Sequence, residues 1–175
     1  QVVPYGLEPG RVRAAAVTRP RAPLRLAFCG VLSPWKAPHV VVDAVRRTSA
    51  SVTLTVHGRL AEPMFAGYIQ ELRQRAGDDP RIRFADAYTR EQIDQVFADM
   101  DLLVVPSTWY ENTPFVVLEA FEAGVPVLAS HGGHMVGRVS AAPQVVVATP
   151  GAEPDCDGGY RAVLLAATSL TKMFP

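Results

Sequence analysis

Residues 101–130 constrain the fold more than any other stretch of the sequence, because they predict two buried strands joined by an apolar helix. The run 101–105 is short, apolar and followed by a proline, which is typical of a central strand in a parallel sheet. The helix after it is apolar almost all round and ends at Gly124, and 125–129 is a second apolar strand. This order indicates a βαβ unit of an α/β fold.

Thr113 and Pro114 predict where the helix of this stretch begins. A threonine hydroxyl can cap free backbone amides, and proline is tolerated in the first turn because the amide it lacks has no partner there. We therefore expect Thr113 as the N-cap and Pro114 inside the first turn. Glu111 precedes this N-terminus, where backbone amides attract anionic groups such as phosphate.

Glu119 is the informative residue of the helix, because its neighbours Phe115–Leu118, Ala120 and Phe121 leave no polar face. A buried carboxylate costs roughly several kcal/mol unless it is paired or hydrogen-bonded, and sugar hydroxyls are suitable donors. Two carboxylates beside a helix end that attracts phosphate therefore suit a nucleotide sugar. The alternative is that Glu111 is a surface loop residue and Glu119 a capping or buried ion-pair residue.

The same stretch resembles the signature of retaining glycosyltransferases of family 4, which have the GT-B architecture. Those enzymes carry two glutamates separated by seven residues, within a segment resembling "PS-x-x-E-x-x-P-F-x-x-x-E-A-x-A-x-G-x-P-V", and Glu111 and Glu119 stand in that context here. The resemblance implies that Glu111 contacts the donor sugar as a catalytic residue and that Glu119 binds the ribose hydroxyls. We also expect substrate contacts from four residues of the same segment: Asn112, Thr113, Pro114 and Phe115.

The loop after the first predicted strand resembles the family element "G-R-L-x-x-x-K-G", whose arginine and lysine neutralise the donor diphosphate. Lys36 matches the lysine, which implies a catalytic role in stabilising the departing diphosphate. Val31 occupies the position of the arginine, and Ala37 that of the usual glycine. The loss of one charge-assisted donor would weaken diphosphate binding by roughly 1.5–3 kcal/mol, unless Arg59 or Arg138 replaces it.

Two further loops of the chain resemble donor-binding elements of the family. Gly58 and Arg59 follow a predicted strand and resemble the "x-G-x-G" turn that faces the donor, so both are expected to contact substrate. Tyr88 lies in a loop that runs alongside the base in the family, and it either stacks on the base or lies at the rim of the site.

Gly132 and Gly133 match the first part of the family element "G-G-x-x-E", in which glycines let backbone amides approach the sugar. They are therefore expected to bind substrate, although Val136 stands where the glutamate is usually found. His131 and His134 are three residues apart, but no CxxC motif or nearby acidic cluster supports a metal site, so we expect none.

Length and charge exclude several classes of protein. The chain has 175 residues and equal numbers of basic and acidic side chains (17 each), which argues against a nucleic-acid binder that relies on charge. No apolar run approaches the roughly 20 residues of a membrane span. Two cysteines suggest reduced thiols and a cytoplasmic protein, with peripheral association at the inner face of the membrane left open.

Strands alternate with helical patterns along the whole chain, which predicts a Rossmann-like, doubly wound parallel sheet of about six strands with helices on both faces. In GT-B terms this is the C-terminal half: residues 1–23 would be an interdomain linker and 24–175 the donor-binding domain, with the N-terminal acceptor-binding domain absent. The remaining predicted strands are 24–30, 51–57, 81–85 and 144–148. The remaining predicted helices are 40–48, 62–76, 89–100 and 160–173, and the spacing of Thr89 and Gln92 predicts a capping box at the start of the third.

The resemblance thus predicts the donor-binding domain of a retaining glycosyltransferase, which transfers a sugar from a nucleoside-diphosphate sugar to an acceptor hydroxyl. Its partners would be the nucleotide sugar and the missing domain, no cofactor or metal would be obligatory, and the isolated domain would be inactive. One alternative is a catalytically disabled GT-B-like binding or scaffold module, suggested by Val31 and Val136. A sugar phosphorylase or nucleotide-sugar epimerase on the same fold is another; a dinucleotide-binding dehydrogenase is disfavoured because no G-x-G-x-x-G follows the first strand.

Overall fold

Six parallel strands form a sheet in the computed structural model, which describes residues 22–109 and 114–130 and the backbone of 145–148. The strands are β1 (Leu24–Cys29), β2 (Val52–His57), β3 (Ile82–Ala85), β4 (Leu102–Val105), β5 (Val127–Ser130) and β6 (Val145–Ala148). The helices are α1 (Pro38–Arg47), α2 (Ala66–Ala76), α3 (Ile93–Ala98) and α4 (Phe115–Ala123).

The strand order is β3-β2-β1-β4-β5-β6, so the direction of winding reverses between β1 and β4. This is the order of a doubly wound Rossmann-like sheet, and it confirms the predicted α/β class. A crevice forms at such a reversal because the connections on its two sides lead to opposite faces of the sheet. The crevice lies at the carboxyl ends of the strands.

Apolar side chains of the central strands alternate between the two faces of the sheet. In β1, Leu26 and Phe28 pack with α1 and α2, whereas Ala27 and Cys29 belong to the cluster that includes α3 and α4. All four residues of β4 are buried, as expected of a strand covered on both faces. The helices therefore cover both faces, as the sequence predicts.

The predicted helix boundaries need corrections, and the first is that α1 begins at Pro38, two residues before the predicted start. Helix α4 begins at Phe115, and Pro114 is its N-cap with φ −66° and ψ 121°, so the chain is still extended at the residue predicted to lie in the first turn. Thr113, the predicted N-cap, lies outside the described residues. The helices predicted for 62–76 and 89–100 each begin with a 3-10 turn, at Pro63–Phe65 and Arg90–Gln92, and the second ends at Ala98.

Other predictions from the sequence are confirmed. Thr89 and Gln92 form the capping box expected from their spacing, with the Thr89 amide donating to Gln92 Oε1 at 3.0 Å. The predicted strand near the C-terminus is β6, which pairs with β5 in parallel. The helix predicted for 160–173 lies outside the described residues, and the division at residues 1–23 and 24–175 stays a prediction.

The loops after β1 and β2 are in direct contact at Gly58. A Cβ added to Gly58 would lie 2.5 Å from the Gly30 carbonyl oxygen and 2.7 Å from Leu32 Cγ. The Gly30 amide also donates to the His57 carbonyl at 3.1 Å. Only glycine permits this approach, so the two loops are fixed against each other beside the crevice.

We expect Gly58→Ala to destabilise the protein, because the new methyl group would meet a backbone oxygen that can move only with its loop. Overpacking of this kind costs about 1–3 kcal/mol. Thermal unfolding measures the effect. The matched control is Gly67→Ala, because Gly67 lies in α2 and a Cβ added there would have no atom within 4 Å. The control should be neutral or stabilising by up to about 1 kcal/mol. Equal melting temperatures for the two variants would contradict the prediction.

Candidate functional site

A cavity of about 700 Å³ lies at the carboxyl ends of the strands. Its walls come from the ends of β1, β2 and β4, from the loops after β1, β2 and β3, and from the beginning of α4. The lining residues are Phe28, Cys29, Gly30, Val31, Leu32, Lys36, His57, Gly58, Arg59, Glu62, Ala87, Tyr88, Val104, Val105, Pro114, Phe115 and Val116. This is the place where ligands bind in open α/β sheets.

Six of the residues that the sequence selects line this one cavity: Lys36, Gly58, Arg59, Tyr88, Pro114 and Phe115. They are distributed over four separate segments of the chain, and the fold brings them together. Five others lie outside the described residues: Glu111, Asn112, Thr113, Gly132 and Gly133. The roles of all these residues in binding stay predictions.

Glu119 lies on α4, one turn after the cavity-lining Phe115, and it does not itself line the cavity. Its side chain is buried, with 5% of the residue exposed, as its apolar neighbours in the sequence predict. Burial raises the pKa of the Cys29 thiol, and the charge of Glu119 adds a smaller contribution in the same direction.

One wall of the cavity is formed by Cys29, His57 and Tyr88, at the ends of β1, β2 and the loop after β3. The rings of His57 and Tyr88 meet edge to face, with centroids 5.8 Å apart and an interplanar angle of 83°. A hydrogen bond between the Tyr88 and Cys29 side chains partly lowers the pKa of the Cys29 thiol. Tyr88 is thus held by two neighbours, which fixes the orientation of its ring.

This wall carries no charge near neutral pH. Burial raises the pKa of the Cys29 thiol to about 12, and the hydrogen bond with Tyr88 lowers it only in part. Burial, with a smaller contribution from the charge of Arg83, lowers the pKa of His57 below its usual value, so the imidazole is neutral. A neutral imidazole and a phenol offer both hydrogen-bond donors and acceptors to an uncharged heterocycle.

The loop after β1, which carries Lys36, is fastened to the loop after β4. The Trp35 carbonyl accepts hydrogen bonds from the Thr108 amide at 2.9 Å, from Ser107 Oγ at 3.2 Å and from Thr108 Oγ1 at 3.3 Å. Ala37 follows in the left-handed region, with φ 52° and ψ 42°, and is completely buried. Lys36 therefore stands between two fixed residues.

The sequence alone did not select Cys29, His57 or Glu62 as residues of the site. Cys29 and His57 are the last residues of β1 and β2, and this position is the signal that could have found them. Glu62 has no such signal, because it reaches the cavity through the path of the loop between β2 and α2.

Neither a metal cluster nor a membrane span is found among the described residues. Within residues 22–109 and 114–130, no three histidine, cysteine, aspartate or glutamate side chains are grouped so that they could hold a metal ion. No helix in that same part of the chain combines the length and apolar character needed to cross a membrane.

Comparison with known proteins gives consistent matches. The family model described as "Glycosyl transferases group 1" matches residues 23–156. The D-inositol 3-phosphate glycosyltransferase of Mycobacteroides abscessus is 35% identical over 112 residues, which are 62% of this chain and 24% of that protein. The chain thus spans about a quarter of the length of this curated relative.

Solved structures match over most of the chain. The crystal structure of Anabaena HepE in complex with UDP and glucose has a TM-score of 0.65 and 25% identity, covering 86% of this chain and 44% of that one. WaaG, a glycosyltransferase involved in lipopolysaccharide biosynthesis, has a TM-score of 0.69 at 20% identity, covering 99% of this chain and 49% of its own. The second match concerns the fold alone.

We expect Cys29 to resist alkylation in the folded protein. With its pKa raised to about 12, the thiolate fraction at pH 8 is lower than that of a free cysteine on the order of a thousandfold. Iodoacetamide labelling followed by peptide mass spectrometry measures the rate at Cys29, with the urea-unfolded protein as control. Labelling as fast in the folded protein as in urea would contradict the geometry of this wall.

Proposed function

Because the chain belongs to the glycosyl transferases group 1 family, we propose that its cavity binds a nucleoside-diphosphate sugar as the donor of a retaining GT-B glycosyltransferase. The observation that carries the proposal is the convergence of Lys36, Gly58, Tyr88 and the start of α4 on one cavity at the reversal of the sheet. The Anabaena HepE structure, which contains UDP and glucose, supports the same class of ligand.

Different parts of the cavity lining suit the two ends of such a donor. The neutral wall of Cys29, His57 and Tyr88 suits the base, because it offers a fixed aromatic ring and uncharged hydrogen-bonding groups. Lys36 suits the diphosphate, because its ammonium is a compact charge held by a fixed loop. Glu119 would accept hydrogen bonds from the ribose hydroxyls. This requires the ribose to reach the Glu119 carboxylate past the start of α4.

The chemistry proposed for this site is electrostatic. Lys36 would stabilise the negative charge that develops on the departing diphosphate, which is the usual role of a fixed cation at a leaving group. Glu111 would contact the donor sugar, and the acceptor hydroxyl would attack from the face that the leaving group vacates. No metal or cofactor is obligatory in this scheme. We expect an acceptor-binding domain to be needed for transfer, so that this chain alone binds donor without efficient turnover.

A catalytically disabled binding module is the second candidate, and one observation favours it. Val31 lines the cavity and is half exposed, at the position where the resembling family has a diphosphate-binding arginine. A module of this kind would bind the donor but would not transfer the sugar even in the presence of acceptor and all other domains. Assay of sugar transfer separates the two candidates.

We expect one of UDP, GDP and ADP to stabilise the protein against heat and to bind in calorimetry, whereas NAD does not. Glu119→Gln should weaken this binding about tenfold, because an amide is a poorer acceptor for two ribose hydroxyls than a carboxylate. The matched control is Glu122→Gln on the same helix, which should bind normally. If none of the three diphosphates binds at millimolar concentration, the proposed function is wrong for this chain; equal binding by both variants removes Glu119 from the site.

A further inference from the structure

Arg59 and Val31 line the same cavity, in two loops that touch each other at Gly58. Gly58 packs so closely on Gly30 and Leu32 that a Cβ would be 2.5 Å from one and 2.7 Å from the other. Val31 is the residue between those two, and Arg59 is the residue that follows Gly58. Both Val31 and Arg59 line the cavity, so the loop after β2 supplies a cation to the same cavity in which position 31 of the loop after β1 is uncharged.

The charged residues of the described cavity lining are few. Lys36 and Arg59 are the cations, and Glu62 is the anion. The Arg59 side chain is 77% exposed, and its NH1 lies 3.8 Å from Glu62 Oε2. A charge-assisted hydrogen bond is normally about 2.7–2.9 Å long, so this contact is a loose ion pair that contributes little to stability. The guanidinium can therefore leave Glu62 easily for a stronger anion.

We propose that Arg59 binds the diphosphate of the donor in place of an arginine at position 31, and that Glu62 pairs loosely with the guanidinium and competes with the diphosphate for it. This inference rests on the proposed function, and it assigns recognition of the second phosphate to Arg59. The planar guanidinium can donate two parallel hydrogen bonds to phosphate oxygens, which the Lys36 ammonium cannot. Glu62 competes for the same guanidinium and so favours the ligand with the higher negative charge.

The decisive measurement is the ratio of dissociation constants for nucleoside monophosphate and diphosphate. Three nucleotide pairs are titrated into the protein: UDP with UMP, GDP with GMP and ADP with AMP. The pair whose diphosphate binds most tightly is then used for the variants. Arg59→Ala should weaken the diphosphate by about tenfold or more and change the monophosphate less than about twofold. The ratio should therefore fall towards one. Arg73→Ala, an exposed arginine on α2 that does not line the cavity, is the matched control and should keep the wild-type ratio.

Two further variants test the position and the partner. In the Arg59→Ala background, Val31→Arg should restore diphosphate affinity, since the half-exposed Val31 can carry the new side chain into the same space. Glu62→Gln should strengthen diphosphate binding, because the competing carboxylate is removed. Thermal unfolding of each variant checks that the change in affinity occurs in a folded protein.

The outcomes separate this inference from the proposed function. If the wild type binds a diphosphate and Arg59→Ala binds it equally well, the role of Arg59 is wrong while the proposed function stands. If Val31→Arg does not restore diphosphate affinity, the claim that Arg59 replaces an arginine at position 31 is wrong. If Glu62→Gln binds the diphosphate equally well or more weakly, the role of Glu62 is wrong. If the wild type binds no nucleotide, both the proposed function and this inference fall.

Discussion

The contact of Gly58 with the loop after β1 is the constraint on which the cavity depends. A parallel sheet brings the ends of its strands to one edge, but it does not fix the loops that leave them. Here Gly58 lies against Gly30 and Leu32, and on the other side Ser107 and Thr108 hydrogen-bond to the Trp35 carbonyl. Because the loop after β1 is held from both neighbouring strands, its side chains have defined positions around the crevice.

Burial divides the cavity into an uncharged wall and a charged one. Cys29 and His57 lie at strand ends, where desolvation favours the neutral form of both groups. Lys36 and Arg59 are the cations of the described lining; they lie in the loops after β1 and β2, and the Arg59 side chain is largely exposed. The same sheet edge thus presents two environments, and a ligand with an aromatic end and an anionic end matches both.

Much of this fold follows from the sequence, because apolar runs and turn residues are local signals. The six strands, the capping box at Thr89 and the burial of Glu119 could all be predicted from neighbouring residues. Helix α4 begins one residue later than predicted, because a proline can occupy either the first turn or the N-cap position. Arg59 and Val31 line the same cavity because two distant loops touch at Gly58, and no local sequence pattern reports such a contact. The segment 110–113 with Glu111, and the glycine pair at 132–133, stay predictions.

Ala37 illustrates how a position can change without loss of structure. Its left-handed φ of 52° disfavours alanine relative to glycine by about 1–2 kcal/mol. Against this, the alanine methyl is fully buried, which is worth about 0.8 kcal/mol, and alanine restricts the unfolded chain by a further 0.4–1 kcal/mol, roughly. The terms nearly cancel. Alanine and glycine are thus close to neutral alternatives here, and evolutionary drift between them would leave the loop beside Lys36 in place.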